Sequence, residues 1–87
     1  MKQRTAEIQA ITSVAIARLA AIRKDRGLSL RKLSMMAGVT QPGLMLVERG
    51  DRKPTLHYLL QLCKALEIDL WPLIKEAEAT VGYNNKI

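Results

Sequence analysis

Residues 27–50, GLSLRKLSMMAGVTQPGLMLVERG, leave this chain few ways to fold. Leu30, Leu33 and Ala37 recur at helical steps after Ser29, and Leu44 and Val47 stand three apart after Thr40. Ser and Thr just ahead of a helix accept the free N–H groups of its first turn. Gly38 and Gly50 close the two stretches, because glycine takes the left-handed conformation that ends a helix at little cost. Pro42 falls in the first turn of the second stretch, where a missing N–H is harmless. The segment therefore reads as two short helices, about Leu30 to Ala37 and Gln41 to Arg49, meeting steeply through the turn Gly38-Val39-Thr40.

The flanking sequence continues the helical pattern. Thr5 is the expected cap of a first helix, with Met1 to Arg4 loose, and Ile8, Ile11, Ala15, Leu19 and Ile22 carry one apolar stripe to about Asp25. That helix is longer than a minimal domain requires, so Ile8 and Ile11 are expected to overhang the core. Thr55 caps a fourth helix, Leu56 to about Leu66, with Leu56, Leu59, Leu62, Cys63 and Leu66 as its buried face. Ile68 fills a gap in the core, Asp69 caps a fifth helix from Leu70 to about Ala79, and the tail from Thr80 to Ile87 is expected to fray. Of Met35 and Met36, one is expected to fill a core gap. No stretch alternates with a two-residue period, so strands are excluded. The expected fold is an all-α, compact five-helix bundle: one domain over 1–87, its core at 15–74, with a helical extension at 5–14 and a frayed tail at 80–87. A chain of 87 residues buries only ~60–65% of its unfolded surface.

Composition removes several function classes. One cysteine, Cys63, forms no internal disulfide and points to a reducing cytoplasm, and one cysteine with one histidine makes no zinc cage. No metal or cofactor is expected. No unbroken apolar run approaches the ~20 residues of a membrane helix, so no membrane partner is expected. His57 lacks a nucleophile setting, Ser29 and Ser34 suit helix-cap and helix-surface roles, and no glycine-rich phosphate loop follows a strand; the chain is not expected to be an enzyme.

Charge supplies the positive evidence. The net charge is +6. Between Arg18 and Lys53 there are nine basic residues against three acidic ones, while the rest of the chain is balanced. The whole surplus lies on and around the two short helices, the clustering that polyanion binding requires. Two helices joined this way present the second to the major groove of duplex DNA.

Together the GVT turn, the ERG closing the third helix, Pro54 after it and the LCKALEI leading to helix five resemble the lambda-repressor-like (Cro/repressor, XRE) helix-turn-helix family, over about residues 15 to 74. The resemblance implies a compact all-α domain that binds double-stranded DNA as a homodimer on two half-sites to regulate transcription. It places Gln41 at the first base-reading position, Pro42, Gly43, Met45 and Leu46 at other outward positions, and Leu44 and Val47 in the core. It pairs Arg23 with Glu48, and it puts Leu70, Trp71 and Pro72 at the dimer contact, where Trp71 either anchors a partner or lies on its own core. Phage-type repressors, antitoxin-like autoregulators and controllers of restriction systems all fit it.

The sequence departs from the family at two points. Leu30 opens the second helix where a polar, phosphate-touching residue is usual, and the third helix is unusually apolar. Of the expected base-contacting residues Gln41, Pro42, Met45 and Leu46, only Gln41 offers a bidentate amide, suited to adenine. Expected phosphate contacts are more numerous: Ser29 and Thr40 at the helix N-termini, Arg31 and Lys32 on the second helix, and Arg49, Arg52 and Lys53 after the third. Weak direct readout supplemented by DNA shape is the expectation. The alternative is a protein-interaction module, in which the apolar third helix holds a protein partner such as a cognate toxin.

Overall fold

The computed structural model describes residues 2–82, of Lys2 and Gln3 the backbone alone. Five helices follow in order, α1 Lys2–Asp25, α2 Leu30–Ala37, α3 Gln41–Glu48, α4 Leu56–Ala65 and α5 Leu70–Val81, and no strand occurs among the described residues. α1 and α5 pack along each other, α2 packs on both α3 and α4, and α3 touches α1. The core joins Ala15, Ile16 and Leu19 of α1 to Leu33, Leu44, Val47, Leu62, Cys63, Leu66 and Leu73.

The caps that set the two central helices are in place. The Ser29 hydroxyl accepts from the Lys32 N–H at 3.0 Å, and the Thr40 hydroxyl accepts from the Gly43 N–H at 3.1 Å. Thr55 does the same for α4, accepting from the Tyr58 N–H at 3.0 Å. Gly38 stands at φ 72°, and its N–H returns to the last carbonyls of α2, so the chain reverses within three residues. α4 lacks a terminal glycine; Glu67 takes the left-handed conformation instead, at φ 57°, which an L-residue adopts at a cost of ~1–2 kcal/mol.

Several expectations need correction. α1 begins by Lys2, so Thr5 lies inside the helix rather than capping it, and residues 2–4 are helical; Met1 lies outside the described residues. Leu56, expected on the buried face of α4, is exposed, because a first-turn residue lies beyond the reach of α2 and α5. Met35 and Met36 are both exposed, and Ser34, expected at the surface, is buried with its hydroxyl donating to the Arg31 carbonyl at 2.7 Å. Asp69 precedes α5 without a side-chain cap bond. α5 continues through Thr80 and Val81 to Gly82, and Ala77 is fully buried, so the core reaches beyond residue 74; residues 83–87 lie outside the described residues.

α1 is a helix of two halves. By length and composition Arg4–Asp25 is long and apolar enough to cross a membrane, with an 18-residue window of mean hydropathy 1.3, which counting unbroken apolar runs does not reveal, since Gln9, Thr12, Ser13 and Arg18 interrupt the stretch. Its C-terminal half is committed to the globule through Ala15, Ile16, Leu19 and Arg23, and Arg18 pairs with Glu76 of α5 at 2.6 Å. Its N-terminal half projects, with Ile8 54% exposed and Ile11 half-buried, giving the molecule a 42 × 22 × 20 Å outline.

Candidate nucleic-acid interface

α3 has a sharply divided circumference. Leu44 and Val47 are buried completely, and Glu48 turns toward α1. On the other side Gln41, Pro42 and Met45 are exposed and Leu46 is half-buried. Gly43, expected among the outward positions, is buried. A Cβ there would lie 2.7 Å from the Thr40 cap oxygen and 3.3 Å from Nη1 of Arg52. The missing side chain thus lets the cap close, and lets the Arg52 guanidinium reach back over the first turn of α3.

Arg23 fixes α3 against α1. Its Nε donates to Oε2 and its Nη2 to Oε1 of Glu48, both at 2.8 Å, and Nη1 donates to the Leu28 carbonyl at 2.8 Å. The pair is largely withdrawn from water, with side-chain exposures of 10% and 15%. The hydrogen bond to Glu48 raises the Arg23 pKa, burial opposes it, and the Glu48 charge adds to the rise. Bidentate pairing of this kind fixes orientation as well as energy. It also neutralises Glu48, the one acidic residue of α3.

The remaining basic residues divide by what they already hold. Arg18 is bound to Glu76, Arg26 donates to the Leu66 carbonyl, and Arg49 pairs with Asp51 at 3.2 Å. Among the described residues Arg4, Lys24, Arg31, Lys32, Arg52, Lys53, Lys64 and Lys75 are exposed and have no acidic partner, and five of them, Lys24, Arg31, Lys32, Arg52 and Lys53, fall between Arg18 and Lys53. Four of these are among the expected phosphate contacts. Lys24, in the last turn of α1 beside Arg23, is exposed but is not among them. The Arg49–Asp51 contact is a weak and salt-screened surface pair that leaves other guanidinium N–H donors free. Burial pushes the Tyr58 phenol up despite the opposing charge of Arg52, so a neutral hydroxyl lies near that cation.

Leu70 is half-buried against the core, whereas Trp71 is 68% exposed and Pro72 is exposed beside it. Trp71 therefore does not lie on its own core. His57 is exposed, and no metal-holding group of histidine, cysteine or carboxylate side chains occurs among the described residues.

A capped two-helix unit with a bare outward helix and unpaired cations beside it defines a DNA-binding helix-turn-helix domain. Residues 19–70 match the helix-turn-helix family, and the chain belongs to that family, in its lambda-repressor-like, XRE branch. It is similar to an uncharacterized HTH-type transcriptional regulator of Mycobacterium tuberculosis, in the CDC 1551 / Oshkosh strain and again in the H37Rv strain. Identity is 44% over 46 residues in both, or 53% of this chain. The chain spans about a third of the length, 33%, of these relatives.

Proposed function

We propose that the chain regulates transcription as a homodimer, laying α3 of each protomer in the major groove of duplex DNA in the cytoplasm. The observation that carries this reading is the outward side of α3, free of acidic groups and flanked by Arg52 and Lys53 after it and by Arg31 and Lys32 on α2. The N-termini of α2 and α3, capped by Ser29 and Thr40, add N–H groups for phosphate. Gln41 reads a base edge, while Met45, Leu46 and Pro42 supply only van der Waals contact, as with thymine methyls. Affinity then comes mainly from the backbone and specificity largely from DNA shape. Exposed Trp71, with Pro72 and Leu70, supplies the contact between protomers, a setting in which tryptophan is favoured. The named function of the mycobacterial relatives supports the regulatory role.

Fluorescence anisotropy on random duplex DNA tests the reading. Binding should weaken steeply with salt, with a slope of about −0.9 for each phosphate neutralised. Binding-site selection should recover a short, loosely defined motif, and sedimentation should show a dimer that Trp71→Ala dissociates. Absence of any binding at low salt would overturn the DNA reading in favour of a protein-interaction module.

A further inference from the structure

We propose that the DNA footprint extends beyond the helix-turn-helix, onto a groove between the N-terminal half of α1 and the Gly50–Pro54 turn. This groove takes one sugar–phosphate unit of the flanking strand, with Gln9 and Ser13 as additional backbone contacts. The inference rests on the duplex-binding reading above.

The groove encloses about 400 Å³, more than a bare phosphate fills. Ile8, Gln9 and Ser13 line one wall, and Arg52, Lys53 and Pro54 the other. No acidic side chain lines it, and neither cation has an acidic partner among the described residues. Gln9 and Ser13 are exposed, and among the described residues their side chains hold no hydrogen bond. The nearby Thr12 hydroxyl, by contrast, is already committed to the Ile8 carbonyl at 3.0 Å. Two cations and two free polar side chains suit a phosphate, while Ile8 and Pro54 suit the carbon face of a deoxyribose. Arg52 links this groove to α3: the same guanidinium that lies over the first turn of α3 at Gly43 also lines the groove. A strand that passes α3 and meets Arg52 continues into the groove. The projecting half of α1, which contributes little to the core, thereby gains a role.

Charge-gain variants test this without disturbing the core. Ser13→Lys adds a cation to the groove at an exposed position, and Glu67→Gln makes the same change in net charge on the exposed turn between α4 and α5. Salt titrations of the full chain on a duplex longer than the footprint should show a slope steeper by about 0.9 per protomer for Ser13→Lys. Glu67→Gln should leave the slope unchanged. Ethylation of one phosphate outside the α3 contacts should weaken the wild type more than the Gln9→Ala/Ser13→Ala double variant, which keeps Arg52 and Lys53 but has lost its two polar contacts. If Ser13→Lys and Glu67→Gln change the slope equally, or ethylation affects wild type and double variant alike, the proposal is overturned while duplex binding stands. If the wild type itself shows no salt-dependent binding, the underlying reading has failed instead.

Discussion

The inward and outward sides of α3 are made of similar material and do opposite work. Leu44 and Val47 face in and are sealed, while Met45, one residue on from Leu44, is 39% exposed. Hydropathy does not separate them; the neighbours do, since α1 and α2 cover one side of the eight-residue helix only. Apolar residues inside are unremarkable, whereas apolar residues on a bare side flanked by unpaired cations describe a surface kept for contact. On the proposed reading, stability and binding lie on different sides of one short helix, and substitutions should separate them.

The largest expected effect is at the inward edge. Removing one member of the Arg23–Glu48 pair strands a partner that is mostly buried, at a cost of ~3–5 kcal/mol. Arg23→Met and Glu48→Met should each lower the unfolding free energy by that much in urea titrations. Replacing both should recover most of the loss, because an apolar pair of similar volume is often neutral. The recovery should stop ~1 kcal/mol short, since the Leu28 carbonyl loses its bond to Nη1. A double variant as unstable as either single one would mean that the pair does not hold α3.

Next comes a matched pair of neighbours. Leu44→Ala empties a site with no exposure and should cost ~2–5 kcal/mol. Met45→Ala should cost under ~1 kcal/mol by the same melts, because its side chain has little packing to lose. Equal losses would mean that α3 is covered on both sides in solution.

How much of this was legible follows from the range of the interactions. The caps at Ser29, Thr40 and Thr55 join a hydroxyl to an N–H three residues on, and the Gly38 reversal needs only its own φ, so local rules reach them. Leu33, Leu44, Val47, Leu62 and Cys63 follow from helical steps. Leu56 fails that rule because a stripe continues along a helix whether or not a neighbour covers its first turn. Thr5 fails as a cap because Lys2, Gln3 and Arg4 ahead of it are good helix formers and carry α1 upstream. Asp69 has the right residue type without the bond, a matter of side-chain aim that no spacing encodes. Arg23 and Glu48 stand 25 positions apart, and only the family resemblance connected them. Gly43 was given an outward place because its surroundings, Thr40 and a returning Arg52, are tertiary. The division of cations into bound and unpaired ones was hidden as well, since Arg26 spends its charge on a carbonyl 40 residues away.

The smallest effects are expected on the outward side, and they distinguish reading from holding. Gln41 is the one amide among the exposed residues of α3 and stands in its first turn, where a base edge comes within reach. Gln41→Ala should cost ~1–3 kcal/mol on the preferred site, and almost nothing on random duplex. Lys53 has no acidic partner among the described residues and carries no base-reading geometry. Lys53→Ala should weaken preferred and random duplex by the same factor and reduce the salt slope by about one per protomer. Neither change should alter the unfolding free energy by more than ~0.5 kcal/mol, because both side chains are exposed. Competition titrations with the two duplexes at matched salt measure both quantities at once. If Gln41→Ala weakens both duplexes equally, α3 contributes no sequence discrimination through that amide, and all of the specificity falls to DNA shape.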